Sequence, residues 1–166
     1  MYKWYGESDS VHRATLGRAF DVTYQEATLS EEEPPSWWAP AIQRISYLLD
    51  LPENWDSYGA KRIDQKTAYY AVQILQQIAR PGVPAPAIVP TVRGYLQFEW
   101  HTNGVDLEFE VLSPIEISVS YEDAETGIEW EKNLDYNLTP LTEVVTLLAK
   151  RREGIGGAAP HAGHAL

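Results

Sequence analysis

The chain has no cysteine among its 166 residues. That excludes disulfides, thiolate metal sites and cysteine nucleophiles together, and it suits a reducing compartment. Long apolar runs are missing too: no stretch approaches the roughly 18 consecutive apolar residues of a membrane span. The opening, Met1-Tyr2-Lys3-Trp4-Tyr5-Gly6-Glu7-Ser8-Asp9, lacks the apolar core of a signal peptide, so a cytoplasmic location is expected. There is no Gly-rich phosphate loop, no H-E-x-x-H and no nucleophile elbow, and no cofactor is expected. Cations are also scarce: 13 Lys and Arg stand against 24 Asp and Glu, a formal charge of −11. Direct nucleic-acid binding rests on Lys and Arg displacing phosphate counterions, so this balance disfavours it. A basic protein partner is favoured instead, with self-association left open.

What the chain does have is aromatic bulk and a concentrated run of acid. Six Trp and ten Tyr in one domain's length of chain argue for a real core. From Gly94 to Glu131 there are ten acidic residues and no Lys or Arg. Acid alternates with apolar bulk there, as in Val105-Asp106-Leu107-Glu108-Phe109-Glu110-Val111 and Ile115-Glu116-Ile117-Ser118-Val119-Ser120-Tyr121. Period-two alternation means strands with one buried and one wet face. The wet face is then almost uniformly acidic.

The expected fold class is α+β: two N-terminal helices, an antiparallel meander of four or five strands, and a C-terminal helix on its apolar face. Residues 1–35 carry scattered aromatics and end in Ser30-Glu31-Glu32-Glu33-Pro34-Pro35, an arm or partly ordered extension. A single domain is expected over 36–153, followed by a disordered Gly- and Ala-rich tail over 154–166. Ser36 is a candidate cap for a helix whose face is Trp38, Ala41, Ile42, Ile45, Leu48 and Leu49, ending near Leu51-Pro52. Asp64 caps the second, with Ala68, Ala71, Val72, Leu75, Ile78 and Ala79 inward. Prolines 84, 86 and 90 allow at most an edge strand over Ala87 to Val89. Thr139 is expected to cap the last helix, with Pro140 in its first position and Leu141, Val144, Val145 and Leu148 inward. Lys150-Arg151-Arg152 suits the negative end of its dipole, and Gly154 is expected to terminate it.

Asn103-Gly104 is a strong two-residue hairpin signal. It pairs Thr102 with Val105, Trp100 with Leu107, Phe98 with Phe109 and Leu96 with Val111, all on the apolar face, so turn and pattern agree. A three-residue loop at Leu112-Ser113-Pro114 then sets Phe109 opposite Ile117 and Leu107 opposite Val119. In that register Glu99 faces Glu108 and Glu110 faces Glu116. A longer turn over Glu122 to Gly127 leads to a last strand carrying Ile128 and Trp130, with Trp130 expected in the core.

Three interpretations of the acidic face stand side by side. Like charges directly opposed across strands destabilise a sheet, and Lys opposite Glu never occurs in this stretch. That pattern suits a docking surface for a cationic partner, built from Glu99, Asp106, Glu108, Glu110, Glu116, Glu122 and Glu129. A solubilising face that guards against edge pairing is the second interpretation. Divalent-metal binding is the third, as in a small hydrolase or nuclease, although the Gly-containing oxygen loop of a fixed calcium site is lacking. An adaptor role through the aromatic arm is a further alternative. His101 faces Asp106 across the hairpin, with Ser118 and Ser120 on the same face. A flat sheet face lacks the pocket and oxyanion donors of acyl transfer, so local charge relief is the better account.

A second constellation is Asn54-Trp55-Asp56-Ser57-Tyr58-Gly59-Ala60. It is expected to be a structural corner. Trp55 and Tyr58 plug the gap between the helices, Asp56 bonds amides two residues on, and Gly59 takes a positive φ. The competing role, Asp56 as the base of a catalytic loop, has no nearby His or Cys to complete it. This corner, the proline-broken segment Pro84 to Pro90 and Leu96-Gln97-Phe98-Glu99-Trp100 resemble a group of small uncharacterised bacterial proteins. Those share a W-D-x-Y-G-A corner, a helix, prolines and an L-x-x-E-W strand. The resemblance covers Trp37 to Glu131 and implies a bacterial origin and one compact domain. It implies no activity, cofactor or catalytic residue.

Overall fold

Helical periods come first along the chain, a run of strand periods follows, and a last helical period closes it. The computed structural model describes residues 33–156, with side chains through Arg152. The expected arm and tail lie outside the described residues, except for 33–35 and 154–156. Helix α1 spans Trp38–Leu49 and α2 spans Gln65–Ile78. Strands β1 (Ala87–Pro90), β2 (Leu96–Thr102), β3 (Val105–Ser113), β4 (Glu116–Asp123) and β5 (Ile128–Leu134) follow, and helix α3 (Thr139–Gly156) closes the order. The five strands form one antiparallel sheet in sequence order, β1-β2-β3-β4-β5. The α+β class and the meander are as expected.

Local chemistry sets most boundaries. Asp64 caps α2 as expected, its carboxylate accepting the Thr67 amide at 2.9 Å. Ser36 does not cap α1. The helix begins beyond Trp37 without a side-chain cap, and the Trp38 amide bonds the Pro35 carbonyl at 2.8 Å. The chain turns there so that Trp37 and Trp38 both bury, Trp37 Nε1 donating to the Val83 carbonyl at 2.8 Å. At α3 the cap comes earlier than expected: Asn137 accepts the Thr139 amide at 3.1 Å, and the helix starts on Thr139. Nor does Gly154 end it, since α3 runs on to Gly156.

Turn chemistry and apolar pattern agree at the first hairpin. Asn103 and Gly104 have φ of 56° and 71°, and every predicted pair from Leu96–Val111 to Thr102–Val105 is present. Phe98 stacks on Phe109 with ring centroids 4.7 Å apart, and Trp100 lies 6.0 Å from Phe109. The next connection departs from expectation. Strand β3 runs to Ser113 with an irregularity after Val111, and only Pro114-Ile115 separates it from β4. Phe109 therefore pairs with Val119, Leu107 with Tyr121 and Val111 with Ile117. Proline fits this tight turn because its φ is already set. The shift is two residues, so every side chain keeps its face.

The core lies between the sheet's inner face and the helices. Helix α1 packs against β1, α2 lies over β3 and β2, and α3 packs beside α2. Leu141, Val144, Val145 and Leu148 of α3 are buried as expected. Strand β5 lies at the margin of this cover: Trp130, expected in the core, is only half-buried against Tyr121, and Ile128 is 53% exposed. No helix among the described residues is long and apolar enough to cross a membrane.

Candidate docking face

All three described helices pack on the inner face, so among the described residues no helix covers the outer face of β2 to β5. The register sorts its side chains into rows. One row runs His101, Asp106, Glu122, Glu129; the next Glu99, Glu108, Ser120, Glu131; the third Gln97, Glu110, Ser118, Asn133. Glu116 completes the face beyond Ser118. All seven expected residues, Glu99, Asp106, Glu108, Glu110, Glu116, Glu122 and Glu129, therefore share it, with Glu131 added. Glu99 faces Glu108 as predicted, whereas Glu110 faces Ser118 and Glu116 faces Ser113. The expected Glu110–Glu116 opposition falls with the β3–β4 register. Two others replace it: Glu122 stands directly between Asp106 and Glu129.

Relief of this charge is partial and local. Gln97 Nε2 donates to both Glu99 and Glu108 at 3.0 Å, tying the two carboxylates across the hairpin. His101 Nδ1 lies 2.7 Å from Asp106, and its Nε2 is 3.6 Å from Glu99 and 3.7 Å from Glu108. The Asp106 hydrogen bond holds the imidazole pKa above its ordinary value, and the neighbouring carboxylates add to this. Arg93, one residue before the cation-free stretch, pairs with one oxygen of Glu110. The other oxygen of Glu110 is buried without a hydrogen-bond partner. Asn133 donates to Glu116 at 3.1 Å. Among the described residues the side chains of Glu122, Glu129 and Glu131 make no hydrogen bond or ion pair. They line an open groove of about 340 Å³ with Ser120.

The corner is tightly stitched. Asp56 accepts the amides of Tyr58 at 2.8 Å and Ala60 at 3.0 Å, and Asn54 accepts that of Gly59 at 2.6 Å. The Ala60 and Tyr58 amides hold the Asp56 carboxyl below its ordinary value. Gly59 takes φ +97° as expected, and Asn54 and Ser57 are also positive. Trp55 is half-buried, its indole donating to the Lys61 carbonyl at 3.3 Å. Tyr58 plugs nothing: it is 94% exposed, because these positive φ values turn it outward. Among the described residues no His bonds Asp56.

One cluster was not anticipated. Asp123, buried at the end of β4, accepts two hydrogen bonds from Arg151 at 2.9 and 2.8 Å. Arg151 also donates to the Asn103 carbonyl and pairs with Glu125, so it clasps two turns to α3 rather than serving the helix dipole. Alternation carried a signal for this, since Asp123 is in phase with Val119 and Tyr121 and must point inward. Its partner lies 28 residues away with no local mark. Two larger grooves are present: one of about 510 Å³ lies along α3, and one of about 490 Å³ lies between the β3–β4 turn and the β5–α3 connection, with Glu116 and Asn133 at its edge. No group of three His, Asp or Glu among the described residues is arranged to hold a metal ion.

No protein-family model, curated protein or solved structure matches the chain. The geometry of the face has to carry the functional argument.

Proposed function

We propose that this is a non-catalytic binding protein whose acidic sheet face docks on a basic protein partner, as an antitoxin, an immunity protein or an inhibitor does. The observation that carries it is the set of directly opposed acids, Glu99–Glu108, Asp106–Glu122 and Glu122–Glu129, on a face that no described helix covers. Each opposed pair costs the sheet a fraction of a kcal/mol, up to about 1. Solubility alone needs neither the opposition nor its concentration on one face. A basic partner gains on-rate from such a field, and the gain fades with salt. The missing cysteine and the resemblance to small bacterial proteins support a bacterial cytoplasmic setting.

An N-acetylated octa-arginine amide serves as a defined stand-in for a basic segment. It should bind the native protein at low ionic strength and more weakly at physiological salt, where the field reaches only about 8 Å. Glu108→Lys/Glu122→Lys should abolish most of that binding. Glu33→Lys/Glu143→Lys, exposed acids off the face with the same net change, should leave most of it. Equal weakening by both pairs would reduce the face to a general charge effect and overturn the proposal. Metal-dependent phosphodiester hydrolysis that disappears in Glu99→Gln would replace it with the hydrolase alternative.

A further inference from the structure

The imidazole at the hairpin corner of the acidic face has carboxylates at both of its nitrogens: Asp106 at Nδ1, and Glu99 and Glu108 at Nε2. Neutral imidazole has one N–H and one lone pair, whereas imidazolium donates from both. The cradle therefore suits the charged ring. The groups facing it are Glu99 from β2 and Asp106 and Glu108 from β3, with Glu122 of β4 next in the row and Gln97 bridging two of them. No Lys or Arg among the described residues joins the cluster. Arg93 is engaged with Glu110, Lys132 lies over the Trp130 ring on the opposite face, and Arg151 holds Asp123.

We infer that docking on this face is coupled to proton release from His101, which acts as the face's own counter-ion until a basic partner takes its place. The inference rests on the docking proposal above and adds a regulation to it. With the face vacant, three carboxylates stabilise the imidazolium. A guanidinium or ammonium arriving among the same carboxylates satisfies them and repels the ring's charge, so the ring gives its proton to water. Arginine keeps its charge from about pH 6 to about pH 9, and histidine is the side chain whose proton is exchangeable in that range. Linkage is reciprocal: if the partner expels the proton, the proton expels the partner. Docking therefore tightens as pH rises, by about tenfold for each unit that the partner lowers the histidine pKa.

The test follows the octa-arginine affinity of the full chain from about pH 6 to about pH 9 at low salt, in the native protein and in His101→Gln. It also follows the His101 ring resonances by NMR, free and with saturating peptide. The native affinity should rise several-fold across the range while the rise disappears in His101→Gln. The His101 titration should move to lower pH in the complex. His12, His161 and His164 are present in both proteins, so the difference isolates His101. In the free protein, Asp106→Asn should lower the pH at which His101 titrates. A matching pH profile in His101→Gln, or a His101 titration that peptide does not move, would overturn the coupling while docking itself stands. An unmoved titration in Asp106→Asn would remove the cradle. Absence of peptide binding at low salt would sink docking and, with it, the coupling.

Discussion

Glu122 and Asp123 are neighbours in sequence, and β4 sends them to opposite faces with opposite fates. Asp123 is buried, and it accepts from Arg151 twice, from Thr126 Oγ1 at 2.8 Å and from the Glu125 amide at 3.0 Å. Those contacts, Arg151 first, hold its carboxyl well below the usual carboxylate range. Glu122 is exposed, stands between two other acids and has no side-chain partner among the described residues. The fold supplies every partner a carboxylate needs when its own closure depends on that carboxylate. On the outer face Glu122, Glu129 and Glu131 get no side-chain partner among the described residues, which is the behaviour of groups whose complement comes from elsewhere.

The contrast can be broken from either side, and the inner face should give the largest effects. Phe109→Ala removes the ring stacked between Phe98 and Trp100 and should cost about 3–5 kcal/mol, measured by denaturant unfolding. Glu108→Gln, one residue away and on the other face, should stay within about 0.5 kcal/mol. Next comes the clasp. Arg151→Met leaves the buried Asp123 charge without its main partner and should lower the thermal midpoint clearly, and by more than Asp123→Asn does. The pH dependence has a definite sign. The folded carboxyl has a lowered pKa, so its stabilisation is present above about pH 4 and drains away as pH falls below that. Asp123→Asn should therefore flatten the acid limb of the stability profile, and an unchanged limb would mean the clasp is not what acid breaks.

Outer-face changes should be small and of the opposite sign. Glu108→Lys/Glu122→Lys turns the opposed like charges into attractive pairs, so its unfolding free energy should rise by a few tenths to about 1 kcal/mol per pair. Loss of stability instead would mean that the acids support the sheet. The smallest effect belongs to Tyr58→Ala, within about 0.5 kcal/mol, because the fold buries almost nothing of that ring.

What the sequence made legible follows the range of the interactions. The β2–β3 hairpin could be read residue by residue because Asn103-Gly104 and the alternation on either side are local and independent witnesses to one register. The seven acids could be assigned to one face for the same reason. The β3–β4 register could not, because a two-residue slip leaves every side chain on its face, and the apolar pattern cannot see it. Tyr58 misled because aromatic bulk normally buries, while backbone angles at Asn54 and Ser57 decide where it points. The Arg151–Asp123 clasp was invisible for a third reason. It joins a helix end to a strand end, and nothing around Arg151 distinguishes it from Lys150 or Arg152.

That clasp also imposes an order on biosynthesis. A ribosome delivers both turns, at Asn103-Gly104 and at Asp123 to Gly127, well before it delivers the arginine that fastens them. Until Arg151 emerges, the nascent sheet lacks the buried side chains of α3, and Asp123 lacks its main partner. Closure of the domain thus waits for a late residue, and a chain stalled short of that point should remain a substrate for proteases and chaperones.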